Sequence, residues 1–235
     1  MAERKKKKEE KETGKLREHK KPDATIIQKI VEKEKSSLLH RNVLGALGML
    51  LPVISIFSGL FVRQKPDEWW WSISVTYYIS PALAIILGAC AIFLLCYRSY
   101  KKIDTIINVL SGIFAMCVVL FPCEGPYDIP YVGFFQIPVA VSNIIHSASA
   151  MLLFALLSYN IGWLFTLGKS EKRNKVYRIC SYSMIAIMMI FVLVLIAGAF
   201  GLNYPGWLVM IVEALLLLFF GFAWLVKGRF FLRKL

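Results

Sequence analysis

The chain has 235 residues, of which 57% are hydrophobic and 18% are charged, and its formal net charge is +13. A soluble domain of this length would be about half apolar and about a quarter charged. The composition therefore argues against an ordinary soluble domain and predicts a basic membrane protein.

The N-terminal part of the chain divides into a tail and a lead-in segment. Residues 1–21 carry almost no apolar side chains, so we expect a basic, disordered cytoplasmic tail. Its lysines would attract anionic lipid headgroups, an attraction that the interspersed glutamates weaken. In residues 22–41, apolar side chains recur near helical spacing. This pattern predicts either an amphipathic helix on the inner leaflet or an ordinary solvated helix.

Six apolar stretches follow, each near the roughly 20 residues that an α-helix needs to cross a bilayer. Together they predict an all-α bundle of six transmembrane helices over residues 42–230, followed by a basic cytoplasmic end at 231–235. The six predicted spans cover about residues 42–62, 79–97, 103–121, 143–167, 179–201 and 207–226.

The connectors between these stretches alternate in basic charge. Lys and Arg are concentrated in the N-terminal tail, around 98–102, in 168–178 and at the C-terminal end, whereas 122–142 and 202–206 contain none. Lys and Arg in short loops stay on the cytoplasmic side of a membrane. We therefore expect a multi-pass protein of the cell membrane with both termini in the cytoplasm.

An aromatic run, Trp69-Trp70-Trp71, then falls on the outer side. Trp prefers the headgroup level of a membrane, so we interpret the run as an interface anchor, with substrate stacking as the alternative. The segment 66–78 would lie on the outer surface before the chain re-enters the membrane near Tyr77 and Tyr78.

Small and polar residues share one face of several predicted helices. In the third span they are spaced by four and three residues, which places them in one narrow stripe. Such residues mark helix–helix contacts in membranes, so we interpret the third-span stripe as structural. The residues are Asp104, Asn108 and Ser111 in the third span, and Ser142, His146, Ser149 and Asn160 in the fourth.

The last span contains a single acidic residue, Glu213. A carboxylate in hydrocarbon is costly by roughly a few kcal/mol, so an intramembrane acid is a candidate functional residue. His146 lies toward the same outer end of its own helix, and the two side chains are the candidate catalytic pair. The structural alternatives are a buried, hydrogen-bonded histidine and a carboxyl group that is bonded to a neighbouring helix.

Other polar side chains fall at the same outer end and would complete a pocket there. The residues that we predict to bind a ligand in this pocket are Tyr77, Tyr78, Asp128, Ser142 and Ser149.

The histidines argue against a zinc enzyme. A catalytic zinc ion usually takes three protein ligands, often His. Of the three histidines, His19 and His40 fall on the cytoplasmic side and only His146 on the outer side. The chain also contains no HExxH, GxSxG, phosphate-loop or CxxC motif. We therefore expect neither a metal ion nor another cofactor.

Four stretches carry a family resemblance: SISVTYYIS (72–80), residues 88–123, IHSASAMLLFALLSY (145–159) and IVEALLLLFFGFAWLVKG (211–228). They resemble bacterial six-helix membrane proteins of the domain of unknown function 998 type. The shared features are the paired Tyr, the Asp early in the third span, the FP at its end, the IH of the fourth span and the Glu of the last. The resemblance covers about residues 42–230 and implies a six-helix membrane fold without an established reaction.

The sequence is compatible with three classes of function. The first is a membrane protein that binds a lipid or small molecule in the outer half of the bundle. The second is an intramembrane lipid-modifying enzyme, hydrolase-like, that uses His146 and Glu213, and the third is a small transporter. The expected partners are membrane lipids and not nucleic acid, and the sequence favours no particular oligomeric state.

Overall fold

The computed structural model describes residues 24–99, 101–168 and 170–230, with the side chains of only 28, 31 and 32 described among residues 24–33. The predicted tail at 1–21 and the basic end at 231–235 lie outside the described residues. Both stay predictions.

The described residues form six α-helices joined by short connectors, as an all-α fold requires. The long helices follow the apolar stretches of the sequence, whose side chains gain by packing together and whose backbone groups are bonded within each helix. In chain order the helices are α1 Ala24–Leu60, α2 Ala82–Cys96, α3 Lys102–Leu120, α4 Val139–Tyr159, α5 Glu171–Ala199 and α6 Trp207–Lys227.

The connectors contain short ordered elements. Two 3-10 turns, Asp67–Trp70 and Ser74–Tyr78, lie between α1 and α2. Between α3 and α4, strand β1 (Tyr131–Val132) pairs antiparallel with β2 (Ile137–Pro138). Helix α4 continues into a wide π-helical turn, Asn160–Leu164, and then a 3-10 turn, Phe165–Leu167.

Five helical segments are long and apolar enough to cross a membrane: Glu34–Leu60, Lys102–Leu120, Val139–Leu167, Glu171–Ala199 and Trp207–Lys227. Helix α2 is also apolar but has 15 residues. At 1.5 Å per residue it is about 22 Å long, shorter than the roughly 30 Å of a hydrocarbon core. The helix is therefore shorter than the predicted span 79–97. Residues 79–81 lie between the 3-10 turn Ser74–Tyr78 and the start of the helix at Ala82.

Other helix boundaries also extend beyond the predicted spans. Helix α1 joins the predicted lead-in segment and the first span into one helix. Helix α4 begins directly after Pro138, whose restricted φ angle suits a helix start. Helix α5 begins at Glu171 rather than near residue 179. Its first two turns are rich in Lys, Arg and Glu, which are good helix formers although they are charged.

Contacts divide the chain into two units, residues 1–37 and Leu38–Leu235. In the first unit, the described residues from Ala24 to Ser37 are helical, and Val31 is 44% exposed. An exposed apolar side chain fits both interpretations of the lead-in segment, as a surface helix on a membrane or a solvated helix.

The second unit is a packed helical bundle. Helix α2 packs on α3, α3 on α4, α4 on α5 and α5 on α6. The α1 residues of this unit approach α6 at glycines: a Cβ atom on Gly45 would lie 2.7 Å from the backbone nitrogen of Leu225, and one on Gly221 would lie 2.7 Å from the carbonyl oxygen of Gly45. Such close backbone approach through small residues is typical of helix pairs in membranes.

Hydrogen bonds between connectors and helix termini define two ends of this bundle. We call one the basic end; there α2 and α4 finish, α3 and α5 start, and Arg41 Nε donates to the Tyr97 hydroxyl. We call the other the Glu213 end; there the 3-10 turns after α1 meet the start of α6, and the end of α3 meets the start of α4.

Candidate functional site

At the Glu213 end, the Glu213 carboxylate binds the connector between the two 3-10 turns. Its Oε2 atom accepts hydrogen bonds from Ser72 Oγ at 2.7 Å and from the Ile73 backbone nitrogen at 2.6 Å. Its Oε1 atom accepts from Ser74 Oγ at 2.6 Å. We call these four residues the carboxylate clamp, because they hold residues 72–74 against α6.

The clamp has a clear local cause. Ile73 and Ser74 stand where the second 3-10 turn begins, and the first N–H groups of a helical turn have no partner within the turn. The carboxylate supplies that partner from another helix. The neighbouring bond from the Met210 nitrogen to the Trp71 carbonyl oxygen, at 2.9 Å, fixes the same connector to α6. Glu213 therefore has a structural role in this fold.

His146 has a different partner. Its Nδ1 atom lies 2.8 Å from the Phe121 carbonyl oxygen, and since a carbonyl only accepts, Nδ1 carries the proton. His146 and Glu213 are close enough to interact electrostatically, but the hydrogen bonds given for the described residues do not join them. Their catalytic pairing stays a prediction.

Three of the predicted site residues serve one purpose, to hold the chain after α3. Ser142 Oγ donates to the Pro122 carbonyl at 2.7 Å, and the Tyr78 hydroxyl donates to the Cys123 carbonyl at 2.6 Å. With His146, they satisfy the three consecutive carbonyl groups of residues 121–123, which directly follow α3 and lie outside any helix.

The same surroundings affect a titrating group in the connector after α3. Burial, followed by the Glu213 charge, raises the pKa of the Cys123 thiol to about 12. The thiol is protonated at neutral pH, so it is not a ready nucleophile.

The remaining predicted pocket residues do not converge on one cavity. Tyr77 is partly buried with its ring edge against Tyr78, Ser149 is buried and Asp128 is exposed. A cavity of about 40 Å³ does adjoin the clamp, where Ser74 and Glu213 are its polar lining residues among nine apolar ones. It is large enough for about one water molecule.

The basic end holds a larger cavity, of about 260 Å³, which we call the basic-end cavity. Residues from α1, α3, α6 and the turns that follow α4 line it, and its polar side chains carry both signs of charge. The lining residues used below are Arg41, Asp104, Asn108, Asn160, Gly168 and Lys227.

A chain of hydrogen bonds orders one wall of this cavity. Asn160 Nδ2 donates to Asn108 Oδ1 at 2.9 Å, and Asn108 Nδ2 donates to the Asp104 carbonyl oxygen at 2.6 Å. Ser99 Oγ donates to Asp104 Oδ2 at 2.9 Å. Asn160 stands at the start of the wide turn that ends α4, an irregularity that recurs at functional sites.

Two oxygen atoms in this wall lack a partner. Asp104 Oδ1 and Asn160 Oδ1 are buried and accept no hydrogen bond within the part of the chain that the structure describes. Asn160 as a whole is only 1% exposed. An unsatisfied buried polar atom costs about 1–3 kcal/mol, so these atoms mark where a hydrogen-bond donor fits.

Arg41 and Lys227 bring positive charge to the lining of the same cavity. Lys227 Nζ donates to the Phe165 carbonyl oxygen at 3.2 Å and lies 4.6 Å from the centre of the Phe165 ring. Arg41 and Arg173 act on Lys227 as like charges and Asp104 as an opposite charge. This cation is held among protein groups, not simply solvated at a helix end.

Sequence reasoning identified one wall of this cavity and missed the other. Asp104, Asn108 and Asn160 were recognised as inward stripes and interpreted as packing. Arg41 and Lys227 were counted only as topology charges. Arg41 and Lys227 stand at the ends of predicted spans, beside those stripes. That position is the signal that could assign them to the same site.

Among residues 24–99, 101–168 and 170–230, no group of three or more His, Cys, Asp or Glu side chains is placed to hold a metal ion. No family model, curated protein or solved structure was found to match the chain. The resemblance to the domain of unknown function 998 type therefore stays a prediction.

Proposed function

We propose that this chain is a multi-pass membrane protein that binds a polar small molecule or a lipid headgroup in the basic-end cavity. The observation that carries the proposal is the pair of buried, unpartnered oxygens, Asp104 Oδ1 and Asn160 Oδ1, in the wall of a 260 Å³ space. A ligand that carries an ammonium group, or two hydroxyl groups, would donate to both atoms.

The proposed membrane arrangement has six crossings, with both termini and the basic end on the cytoplasmic side. The five long apolar helices support insertion in a membrane. The charge bias of the connectors supports the orientation. The sixth crossing is assigned to α2 with the preceding turn Ser74–Tyr78, since Ser72 and Tyr97 lie at opposite ends of the bundle.

The proposal places the ligand at the basic end because the Glu213 end offers less room. The 40 Å³ cavity there is too small for a lipid headgroup, and both Glu213 oxygens already accept hydrogen bonds. Catalysis by His146 and Glu213 has less support for the same reason, since an acid or base must reach its substrate.

A substitution at Gly168 can test whether the basic-end cavity binds a ligand, because this residue lines the cavity and its position has room for a side chain. Its φ of −79° and ψ of 157° suit any residue, and the nearest heavy atom to an added Cβ would be the Phe165 carbonyl oxygen at 4.0 Å. Gly168→Trp should therefore block the cavity without strain, while Gly168→Ala should leave it open.

Native mass spectrometry of the protein, purified in mild detergent from its own membranes, is the measurement. We expect wild type and Gly168→Ala to retain a ligand or lipid adduct that Gly168→Trp loses. The proposal fails if wild type carries no adduct, or if Gly168→Trp carries the same adduct while melting at the wild-type temperature.

A further inference from the structure

We propose that the ligand of the basic end carries a phosphate group, which binds in a second cavity beside the first. This inference rests on the proposed function and specifies the chemistry of its ligand. The second cavity, of about 180 Å³, shares Arg41, Phe165, Gly168 and Lys227 with the basic-end cavity. We call it the phosphate cavity.

The lining of the phosphate cavity is strongly cationic. Arg41, Arg173 and Lys227 contribute to it, and none of the described residues that line it is acidic. Two acids lie on adjoining surfaces: Asp104 lines the first cavity, and Glu171 lines a surface groove that shares Asn174 with this one. Several cations with no acid among them favour an anion with several oxygens, since guanidinium groups match phosphate oxygens in geometry and charge.

The hydroxyl of Tyr177 is the second, independent observation. Tyr177 lines the phosphate cavity, is only 2% exposed, and its hydroxyl has no hydrogen-bond partner in the described part of the chain. Edge contact with Phe165, at 5.5 Å between ring centres, fixes the ring. Arg41 and Arg173 line the same cavity as this hydroxyl. An unpartnered donor that shares a cavity with cations needs an acceptor, and a phosphate oxygen is a strong one.

The start of α5 adds backbone donors to the same place. The helix begins at Glu171, and Ser170, Arg173 and Asn174 of its first turn line the cavity. Ser170 at the N-cap makes no side-chain capping bond, and Asn174 donates to the Gly168 carbonyl. The first N–H groups of a helix have no partner within the helix, and with the positive end of the helix dipole they favour an anion there.

The simplest competing explanation is that these charges only set the membrane orientation. Charges with that role are solvated, as Lys175 and Arg178 are on the exposed face of the same helix. Tyr177 and Lys227 differ because they are enclosed with the guanidinium groups. This contrast also supplies the control, because Arg178 shares the helix and charge of Arg173 but lines the surface groove of Glu171.

The two cavities together indicate which chemical groups the ligand carries. The phosphate cavity would take the anion, and the oxygens of Asp104 and Asn160 would accept from an ammonium group or from two hydroxyl groups on the same molecule. A phosphate ester with such a group is found both in phospholipid headgroups and in soluble metabolites, so the test includes both sources.

The test measures dissociation constants of the full chain in detergent, with the melting temperature of each variant as a folding check. The lipid probes are dioleoyl phosphatidylglycerol and phosphatidylethanolamine, with dioleoylglycerol as the same chains without phosphate. The soluble probes are glycerol 3-phosphate and inorganic phosphate. The variants are Tyr177→Phe, which keeps the ring, Arg173→Gln, and the control Arg178→Gln.

We expect at least one phosphate-bearing probe to bind and dioleoylglycerol to bind at least about tenfold more weakly. Tyr177→Phe and Arg173→Gln should each weaken binding of that probe by about tenfold or more, as expected for the loss of a hydrogen bond to a charged group. Arg178→Gln should stay within about twofold of wild type. Binding of phospholipids alone identifies a lipid ligand, and binding of glycerol 3-phosphate identifies a soluble one.

Two results would overturn the inference. One is that dioleoylglycerol binds as tightly as the phospholipids, and the other is that Tyr177→Phe and Arg173→Gln bind as wild type does. If Gly168→Trp still abolishes adduct retention in either case, the proposed binding function stands and only the phosphate assignment falls. If wild type retains no adduct and binds no probe, both fall.

Discussion

Glu213 is a catalytic candidate in the sequence, and in the fold its carboxylate also holds a connector against α6. Its carboxylate receives donors from Ser72, Ile73 and Ser74, about 140 positions earlier in the chain. Nothing in the local pattern around Glu213 indicates those partners, because a tertiary contact between a connector and a helix creates them. An acid in an apolar helix therefore predicts a buried partner more securely than it predicts a reaction.

The clamp can be tested through the stability of variants. Glu213→Ala should lower the free energy of unfolding by about 1–3 kcal/mol, because it leaves donors of residues 72–74 unsatisfied. Glu213→Gln should be milder, because its carbonyl oxygen can still accept from the Ile73 nitrogen. Reversible unfolding in detergent by added denaturant measures both.

A double-mutant cycle separates the clamp from general packing. In a Ser72→Ala, Ser74→Ala background, Glu213→Ala should be clearly less destabilising than in wild type, because two of its donors are already gone. If its effect is the same in both backgrounds, the hydrogen bonds do not hold the connector.

At the level of elements, glycines allow two helices to pack closely. Helices α1 and α6 approach at Gly45 and Gly221, where a side chain would meet the backbone of the other helix. Gly88 in α2 provides the contrast, since nothing lies within 4 Å of a Cβ atom added there. All three are helical glycines, so helix propensity alone would treat them alike.

Alanine at these positions should therefore have opposite effects. Gly221→Ala should lower the free energy of unfolding by about 1–3 kcal/mol through overpacking against α1. Gly88→Ala should be neutral or stabilise by up to about 1 kcal/mol, because alanine is the better helix former. Melting temperatures in one detergent compare the pair, and an equal loss in both would argue against close packing of α1 on α6.

The helices show which features a sequence can predict. Long apolar runs predicted five of the long helices, because length and hydropathy are local properties. Helix α2 starts later than the predicted span 79–97, and α5 starts earlier than the predicted span 179–201. Pro81 and the preceding 3-10 turn delay α2, while a charged but helix-forming segment from Glu171 extends α5.

The site was less predictable than the fold for a physical reason. Asp104, Asn108 and Asn160 share faces that periodicity reveals, but the unpartnered state of their oxygens depends on how three helices meet. The same holds for Tyr177, whose sequence context is that of an ordinary aromatic residue in a helix. Only the packed structure shows that its unpartnered hydroxyl lines a cavity together with guanidinium groups.

For the whole molecule, the proposed topology depends on whether short α2 crosses the membrane. Gln64 precedes α2 and Lys101 follows it, and both are exposed. If α2 crosses, these residues lie on opposite sides, with Lys101 in the cytoplasm. If it does not, they lie on the same side and the bundle has an odd number of crossings.

Introduced cysteines distinguish the two arrangements. Cys96 is exposed and should be replaced by Ala, whereas Cys123 is buried with a raised pKa and should react slowly. On intact cells, an impermeant maleimide should label Gln64→Cys, and should label Lys101→Cys only after the cells are permeabilised. Labelling of both on intact cells, or of neither, would contradict the six-crossing topology.

The central claim is that the basic end is a ligand site, and an experimental density map of the protein from its own membranes tests it most directly. We predict density for a molecule within hydrogen-bond distance of Asp104 Oδ1 and Asn160 Oδ1, with its anionic group beside Tyr177 and Arg173. A map in which protein side chains fill both cavities, and in which these oxygens and the Tyr177 hydroxyl bond only to one another or to protein groups, would contradict the account.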